Sequence, residues 1–176
     1  NLSGGTLKVS DLARLGYRFT TTFNQTGGEA EFKNLELGSG YPAGAGTADY
    51  TISGTAKLTI TSGGRFYVGG STGGTGRFYV NGGTTTVNAD MYVGAVASAN
   101  GTVTQTAGTV TIASTSALRF GSTGSYSAVY NLNGGVLTLA NIVFSDTNAQ
   151  KFNFGGGTLQ ANGNLNTSMP MSINTG

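Results

Sequence analysis

The chain has 176 residues, of which 31 are Gly and only 9% are charged. The formal net charge of +2 comes with 9 Lys and Arg residues spread along the sequence, which excludes the clustered basic stripe typical of nucleic-acid-binding proteins. Because the sequence contains no Cys and no His, it can form neither a disulfide framework nor a catalytic pair built on these residues.

A pair of small residues, followed by alternating apolar residues, recurs about every 25 positions along the chain. Aligned on the second residue of each pair, the repeats have their anchors at Gly5, Gly28, Ala56, Gly83, Gly108, Gly135 and Gly157. A fixed period in this range, with strand-like patterning inside each repeat, is the signature of a solenoid in which one repeat forms one coil. We therefore predict a single solenoid domain over residues 1–176, which is a segment or subunit of a longer assembly.

Each repeat predicts three short strands. The stretch from Tyr130 to Ser145 reads YNLNGGVLTLANIVFS, and its apolar residues alternate with polar ones in three segments that turn residues separate. Two residues after the anchors stand Leu7, Ala30, Leu58, Thr85, Val110, Leu137 and Leu159, and four residues after them stand Val9, Phe32, Ile60, Val87, Ile112, Leu139 and Ala161. Only Thr85 breaks this apolar pattern.

An aromatic column precedes the anchors. It contains Phe23, Tyr50, Phe78, Tyr130 and Phe152, with Val103 as the interruption. Such columns favour strands that pair in parallel from coil to coil over the alternative of a β-sandwich, because hairpins would not keep the same residue type at this period. The prediction is an all-β, single-stranded parallel β-helix, or β-solenoid, with about seven coils of about 25 residues.

Two coils, YNLNGGVLTLANIVF and KFNFGGGTLQANGNL, the second followed by TSMPMSINTG, resemble the glycine-rich repeats in passenger regions of autotransporter-like and adhesin-like bacterial surface proteins. The resemblance concerns the style of the repeats over most of the chain and is best from Gly101 to Gly176. It implies a right-handed parallel β-helix that is secreted or displayed on a bacterial cell surface, often as a stalk or adhesin.

Acidic residues leave one route to enzyme chemistry open, a carboxylate pair among Glu29, Glu31 and Glu36. In the predicted coils, however, Lys57 lies beside Glu29. Lys8 lies beside Glu31 in the same way, and complementary charges in adjacent coils explain these acids without catalysis.

Neither a GGxGxD calcium repeat nor a GK[ST] phosphate motif is present. We expect a protein that is not an enzyme, holds neither metal nor cofactor, and has no apolar run long enough to enter a membrane.

Outward threonines form one candidate surface. The rows are Thr84 with Thr86 and Thr109 with Thr111, and Thr59, Thr138 and Thr158 extend their columns. Regular rows on a flat solenoid face can resemble an ice-binding surface, although Thr also suits the solvent face of any strand. Because Lys57, Val136 and Gln160 interrupt the lattice, ice binding is a minor alternative.

Exposed aromatic residues form another candidate surface. Tyr67, Tyr79 and Tyr92 each stand between two inward apolar residues and are therefore predicted to point outward. Tyr67 and Tyr92 belong to adjacent coils, where they can stack on each other, pack against another chain or contact a sugar ring. Arg65 and Arg77 precede the two RFYV copies and can add hydrogen bonds or cation–π contacts. These five residues are the candidate glycan-binding site of an adhesin.

Both ends of the sequence lie inside the repeat pattern. The stretch from Leu7 to Phe19 is the nearest candidate for a capping helix, but its apolar residues continue the coil pattern. The residues predicted to mediate assembly at the ends are Leu2, Leu7, Val9, Met171 and Ile173. We expect them to join identical copies end to end or to continue into a longer chain. The leading hypothesis is a structural rod of an extracellular filament, fibre or surface stalk.

Overall fold

The computed structural model describes residues 1–39, 45–121, 127–144, 150–167 and 171–173. The strands in these residues are, in chain order, β1 (Thr6–Tyr17), β2 (Thr20–Gln25), β3 (Glu29–Ser39), β4 (Thr47–Ile52), β5 (Lys57–Val68), β6 (Thr75–Val87), β7 (Asp90–Val93), β8 (Asn100–Ile112), β9 (Leu118–Phe120), β10 (Ser127–Leu132), β11 (Val136–Phe144), β12 (Gln150–Phe154), β13 (Thr158–Thr167) and β14 (Met171–Ile173). All their pairings are parallel, and they form one 14-stranded sheet. The predicted parallel β-solenoid is confirmed.

The solenoid has three faces. The first face precedes each glycine pair and consists of β2, β4, β10, β12, β14 and the first parts of β6 and β8. The second face follows the pair and comprises residues 6–9, 29–32, 57–60, 84–87, 109–112, 136–139 and 158–161. The third face contains the last parts of β1, β3, β5, β11 and β13 together with β7 and β9. The seven rungs of the second face correspond to about 6 turns of the chain.

Many strands turn a corner without ending, which the prediction of three separate short strands did not include. Both β6 and β8 run from the first face to the second, while β3 runs from the second to the third. The pairing register shifts at the corner itself, for example between Phe32 and Asn34. Three segments per coil are therefore present, but two of them often belong to one continuous strand.

Glycine is required at the corner between the first and second faces. Gly28 and Gly135 have φ angles of +67° and +73°, which side-chain-bearing residues rarely adopt. A Cβ atom at either position would lie 2.5 or 2.3 Å from a carbonyl oxygen of the preceding coil. Ala56 is tolerated at this corner because the connection there is one residue longer, and Gly54 supplies the positive φ of +60°. The corner glycines therefore permit the close stacking of successive coils.

Aligned columns of apolar side chains fill the interior. The aromatic column follows the predicted order, with Tyr50 opposite Phe78 and Tyr130 opposite Phe152. The ring centroids of Tyr50 and Phe78 are 5.6 Å apart in an edge-on arrangement, and those of Tyr130 and Phe152 are 5.5 Å apart in a stack. Burying a large apolar side chain stabilises a fold by about 1.5–3 kcal/mol. Because each ring packs on the ring of the next coil, this stabilisation is shared between neighbouring coils.

Three buried glutamines, Gln25, Gln105 and Gln150, interrupt the apolar interior of the first face, and the first two link neighbouring coils. The side chain of Gln105 accepts a hydrogen bond from the Tyr130 hydroxyl at 2.7 Å and donates to carbonyl oxygens of its own coil and the next, at 3.3 and 3.0 Å. Gln25 makes the corresponding contacts with Tyr50 and two carbonyl oxygens. Burial raises the pKa of both tyrosine hydroxyls. Gln25 and Gln105 therefore each link two coils through polar contacts inside the core.

Candidate functional site

The N-terminal end of the rod exposes apolar side chains that the inner coils bury. Leu7 and Val9 of β1 are only partly buried, whereas their partners Ala30 and Phe32 in β3 are 1% and 4% exposed. Among the described strands, β1 pairs with β3 alone, so its other edge offers unpaired backbone groups. The stretch that offered a capping helix forms strand instead, since residues 7–17 belong to β1. Leu2 forms an isolated bridge to the end of β2.

The last described coils also leave apolar side chains partly exposed. Leu159 of β13 is partly buried, and Leu165 is 37% exposed. Within the described sheet β14 pairs only with β12, which places Met171 and Ile173 opposite two phenylalanines of that strand. The side chains of Met171 and Ile173 lie outside the described residues, as do residues 174–176.

The inward positions of the two end coils match. The coil-to-coil register places Leu7 and Leu159 in one column and Val9 and Ala161 in the next. The outward positions of these two segments are Thr and Lys at one end and Thr and Gln at the other. If β13 of one copy stacked on β1 of another, the inward residues of both strands would be apolar. The outward residues would carry no like charges opposite each other.

An aromatic corner follows β1 at the N-terminal end. Tyr17 and Phe19 are 40% and 76% exposed, and the Arg18 guanidinium lies 5.4 Å from the centroid of the Tyr17 ring. Arg18 has a φ angle of +66°, which turns the chain sharply towards β2. Period-two alternation does not predict these exposures, because they depend on the path of the turn.

The two outward tyrosines of the third face stack on each other. Tyr67 of β5 and Tyr92 of β7 are register partners, with ring centroids 5.0 Å apart and planes at 33°. This separation is close to the spacing of neighbouring strands, so the rings face each other along the rod axis and cannot lie side by side on the sheet. The Arg119 guanidinium of the following coil lies 5.9 Å from the Tyr92 centroid. Tyr67 and Tyr92, which we call the tyrosine ladder, therefore present their ring edges and hydroxyls to solvent.

The polar groups around this tyrosine ladder satisfy one another. Asp90 accepts hydrogen bonds from Arg119 Nε at 2.7 Å, from the Tyr92 hydroxyl at 3.3 Å and from a backbone N–H of the next coil at 2.9 Å. Arg65 donates to the Tyr67 hydroxyl at 3.0 Å. Burial, followed by the negative charge of Asp90, raises the pKa of Tyr92.

The other two residues of the predicted glycan site lie on a different face. Tyr79 and Arg77 belong to the first-face part of β6, and Arg77 Nε donates to Asp49 at 2.6 Å in the neighbouring coil. Tyr67, Tyr92 and Arg65 lie on the third face. The structure therefore divides the five residues between two faces.

The threonine rows lie on the second face in the predicted register. The two outward columns read Lys57, Thr84, Thr109, Val136 and Thr59, Thr86, Thr111, Thr138. Two complete Thr-x-Thr rows are therefore adjacent, and Lys and Val flank them in the first column. Thr85, the middle residue of the first row, points inward and is 0% exposed, and its hydroxyl has no hydrogen-bond partner within the described parts of the chain.

Two of the candidate catalytic acids are paired with cations of neighbouring coils, as predicted. Lys57 Nζ lies 3.0 Å from Glu29 Oε1. Lys8 Nζ lies 2.7 Å from Glu31 Oε1. Exposed pairs of this kind contribute at most about 1 kcal/mol, so they explain the placement of the charges more than the stability of the fold.

Glu36 differs because it is buried under a turn of the next coil. Its side chain is 8% exposed, and its carboxylate accepts hydrogen bonds from Arg14 Nε at 3.0 Å and from the Ser71 hydroxyl. A Cβ atom on Gly70 would lie 2.4 Å from the Glu36 Cγ atom, so glycine allows the turn to close over the carboxylate. One carboxylate oxygen therefore holds the turn through Ser71, and the other binds Arg14 of the preceding coil.

An open hollow of about 240 Å³ lies near the C-terminal end, between residues 141–144 of β11 and Asn166 and Thr167 of β13.

Within the residues that the structure describes, no group of three or more His, Cys, Asp or Glu side chains is placed to hold a metal ion. The described residues also contain no helix that combines the length and the apolar character needed to cross a membrane.

Comparison of the chain with family models, with curated proteins and with solved structures gave no match. The rod has partly exposed apolar side chains in its first and last described coils, and the charged groups on its three faces are largely paired from coil to coil.

Proposed function

We propose that the protein is a structural β-solenoid rod of an extracellular filament, fibre or surface stalk, and that rods join end to end through their terminal coils. The proposal is carried by the first and last described coils, where inward apolar residues such as Leu7 and Leu159 remain partly exposed. A solenoid coil cannot bury its apolar face alone, so an open end gains stability when another coil covers it.

A second copy of the chain is the proposed occupant of each end. The matched columns would place Leu159 of one copy on Leu7 of the next, and Ala161 on Val9. A large apolar pair, Leu159 with Leu7, would then lie beside a smaller apolar pair, Ala161 with Val9. Continuation of the coils within a longer chain would use the same contacts. The extracellular or bacterial-surface location is part of the proposal and is supported by the resemblance of the repeats to autotransporter-like passengers.

Sedimentation velocity and negative-stain electron microscopy of the 176-residue chain over increasing concentration would test end-to-end assembly. We expect particles of constant width whose length increases with concentration. Leu7→Lys would bury a charge at the contact and should raise the concentration needed for assembly at least about tenfold. Thr86→Lys, on the flank, is the matched control, and circular dichroism would verify that both variants keep their strands. Uniform monomers at high concentration would contradict the proposal.

Glycan binding by an adhesin segment is the alternative function. The ring edges and hydroxyls of Tyr67 and Tyr92, with Arg65 beside them, form the group on the third face that could contact a sugar. The ring faces pack against each other and against Arg119, which leaves less aromatic surface for a sugar to stack on. Binding on a glycan array that Tyr92→Ala abolishes would favour this alternative, whereas a purely structural rod should give no signal above background.

Ice binding remains the minor alternative because two complete Thr-x-Thr rows are adjacent on the second face. Thermal hysteresis of the purified chain would measure it directly. An ice-binding face should lose its activity in Thr86→Lys and keep it in Thr104→Lys, because Thr104 lies on the first face. A chain without thermal hysteresis would exclude this function.

A further inference from the structure

The tyrosine ladder holds two phenol rings close together on the outside of the rod. Tyr67 and Tyr92 are register partners in β5 and β7, and both side chains are partly exposed. Their ring centroids are 5.0 Å apart. The strands themselves are held from both sides, because β5 also pairs with β3 and β7 also pairs with β9. The two rings therefore remain neighbours for as long as the coils remain stacked.

The other tyrosines that the structure describes have no phenol beside them. Tyr50 and Tyr130 are buried, and the residues opposite them in neighbouring coils are Phe or Val. Tyr79 points outward, but a threonine lies opposite it in each neighbouring coil. Tyr17 lies opposite Ser39. Within the described parts of the chain, the tyrosine ladder is therefore the place where two phenols are register partners.

We propose that the tyrosine ladder is an oxidative crosslinking site, at which hydrogen peroxide and a peroxidase join Tyr67 to Tyr92 as dityrosine. Each ring loses one electron and its phenol proton, and the two radicals form one C–C bond between the ring carbons next to the hydroxyls. The hydrogens on these two carbons then leave as protons, and the two oxygens are protonated again. One hydrogen peroxide takes up the two electrons and two protons and becomes two waters. This modification does not depend on the proposed end-to-end assembly.

The groups around the tyrosine ladder can accept the phenol protons. The Tyr92 hydroxyl donates to Asp90 Oδ2 at 3.3 Å, so this carboxylate can take the proton as the ring gives up its electron. Arg119 Nε, at 2.7 Å from the same oxygen, holds the carboxylate in place. The Tyr67 hydroxyl accepts a hydrogen bond from Arg65 at 3.0 Å and lies on the outside of the face, where water can take its proton.

Formation of the bond requires rotation of the two side chains and no movement of the core. The ring planes are at 33° to each other, whereas two coupled rings meet edge to edge with their centroids slightly closer. Because both side chains point outward, rotation about their side-chain bonds can bring the edges together. Neighbouring strands lie about 4.8 Å apart, which is well within the combined reach of two aromatic side chains.

The crosslink would close a loop of one complete coil. From Tyr67 to Tyr92 the chain passes once around the rod, by way of β6. A covalent bond between these positions restricts the unfolded chain in the way that a disulfide does, and the sequence has no Cys to form a disulfide. The midpoint of urea denaturation should therefore rise by on the order of 1 M in the crosslinked chain.

Oxidation of the folded chain with hydrogen peroxide and a haem peroxidase tests the site. Trypsin cleaves after Arg77 and so separates Tyr67, in residues 66–77, from Tyr92, in residues 78–119. Mass spectrometry should find these two peptides joined and lighter than their sum by two hydrogen atoms. We also expect dityrosine fluorescence in chains that run as monomers on a denaturing gel.

Three variants identify the residues that are joined. Tyr79 lies in the same peptide as Tyr92, so Tyr79→Phe is the matched control and should leave the yield unchanged. Tyr67→Phe and Tyr92→Phe should each abolish the joined peptide, and circular dichroism would verify that all three variants keep their strands. Absence of the joined peptide from the native chain, its persistence in Tyr92→Phe, or dityrosine only between chains or at other tyrosines would overturn the proposal. An unchanged or lowered urea midpoint would also overturn it, because the bond would then form only by distorting the coils.

Discussion

Replacement of Tyr130 by Phe removes one hydroxyl from the core and should lower the free energy of unfolding, because the hydrogen-bond partner of that hydroxyl stays buried. The hydroxyl is buried and donates to Gln105 Oε1 at 2.7 Å. After Tyr130→Phe this oxygen remains buried without that donor, which costs about 1–3 kcal/mol of the free energy of unfolding. Gln105→Leu should cost a similar amount, because it removes the acceptor of the Tyr130 hydroxyl and two contacts to backbone carbonyl oxygens.

The double variant separates the hydrogen bond from the packing. Gln105 lies between Val80 and Leu132 in its column, so a leucine suits its neighbours. With both polar partners removed, no buried donor or acceptor of this pair is left unsatisfied. The double variant should therefore lose about 1–2 kcal/mol less than the sum of the single losses.

Urea denaturation followed by circular dichroism would measure these changes. Amide hydrogen exchange should accompany it, because a solenoid can unfold coil by coil and need not be two-state. Tyr79→Phe, on the outside of the first face, is the matched control and should stay within about 0.5 kcal/mol of the native chain. Strictly additive losses, or an unchanged stability in Tyr130→Phe, would show that the Gln105–Tyr130 contact does not stabilise the core.

Three further predictions concern the core and the corners. Thr85→Val should raise the free energy of unfolding by about 1 kcal/mol in chemical denaturation, because it removes a buried hydroxyl that lacks a partner among the described residues; a loss would contradict this. Gly135→Ala should lower the melting temperature more than Gly5→Ala. The two glycines have nearly the same φ angles, +73° and +72°, but of the two only Gly135 lies close to a neighbouring coil. Equal losses would show that contact with the neighbouring coil does not add to the cost of the new Cβ atom. Burial raises the pKa of Tyr50 and Tyr130 in the folded chain, so their contribution to stability should persist below about pH 10 and fall above it, by up to about 1.4 kcal/mol per pH unit for each tyrosine. Replacing both by Phe should flatten this decline in denaturation measured against pH.

The columns of the core could be predicted because two simple periods act together. Alternation along a strand determines which side chains face inward, and the distance from the anchor determines which coils place them opposite each other. Phe78 and Met91 are both buried at the positions that these two periods specify. The continuous strands could not be predicted, because turn residues mark a bend without showing whether pairing continues through it.

The buried polar contacts depend on three-dimensional paths that these periods do not describe. A sequence signal for one of them exists, since the aromatic column contains Tyr instead of Phe only in the two coils that follow Gln25 and Gln105. Glu36 has no comparable signal, because its burial depends on how the turn around Gly70 closes. The orientation of the Tyr67 and Tyr92 rings likewise follows from packing between coils and not from their outward position alone.

The parallel pairing of successive coils has a mechanical consequence. Backbone hydrogen bonds between coils run along the rod axis, so tension applied to the two ends separates one coil at a time, in the manner of a zipper. Each released coil of about 25 residues can extend to roughly 80 Å, whereas it occupied only roughly 5 Å of the rod. We therefore expect force spectroscopy to show many small, evenly spaced steps. A stalk built in this way would lengthen many-fold under tension and so absorb mechanical energy before its connection to the cell surface breaks.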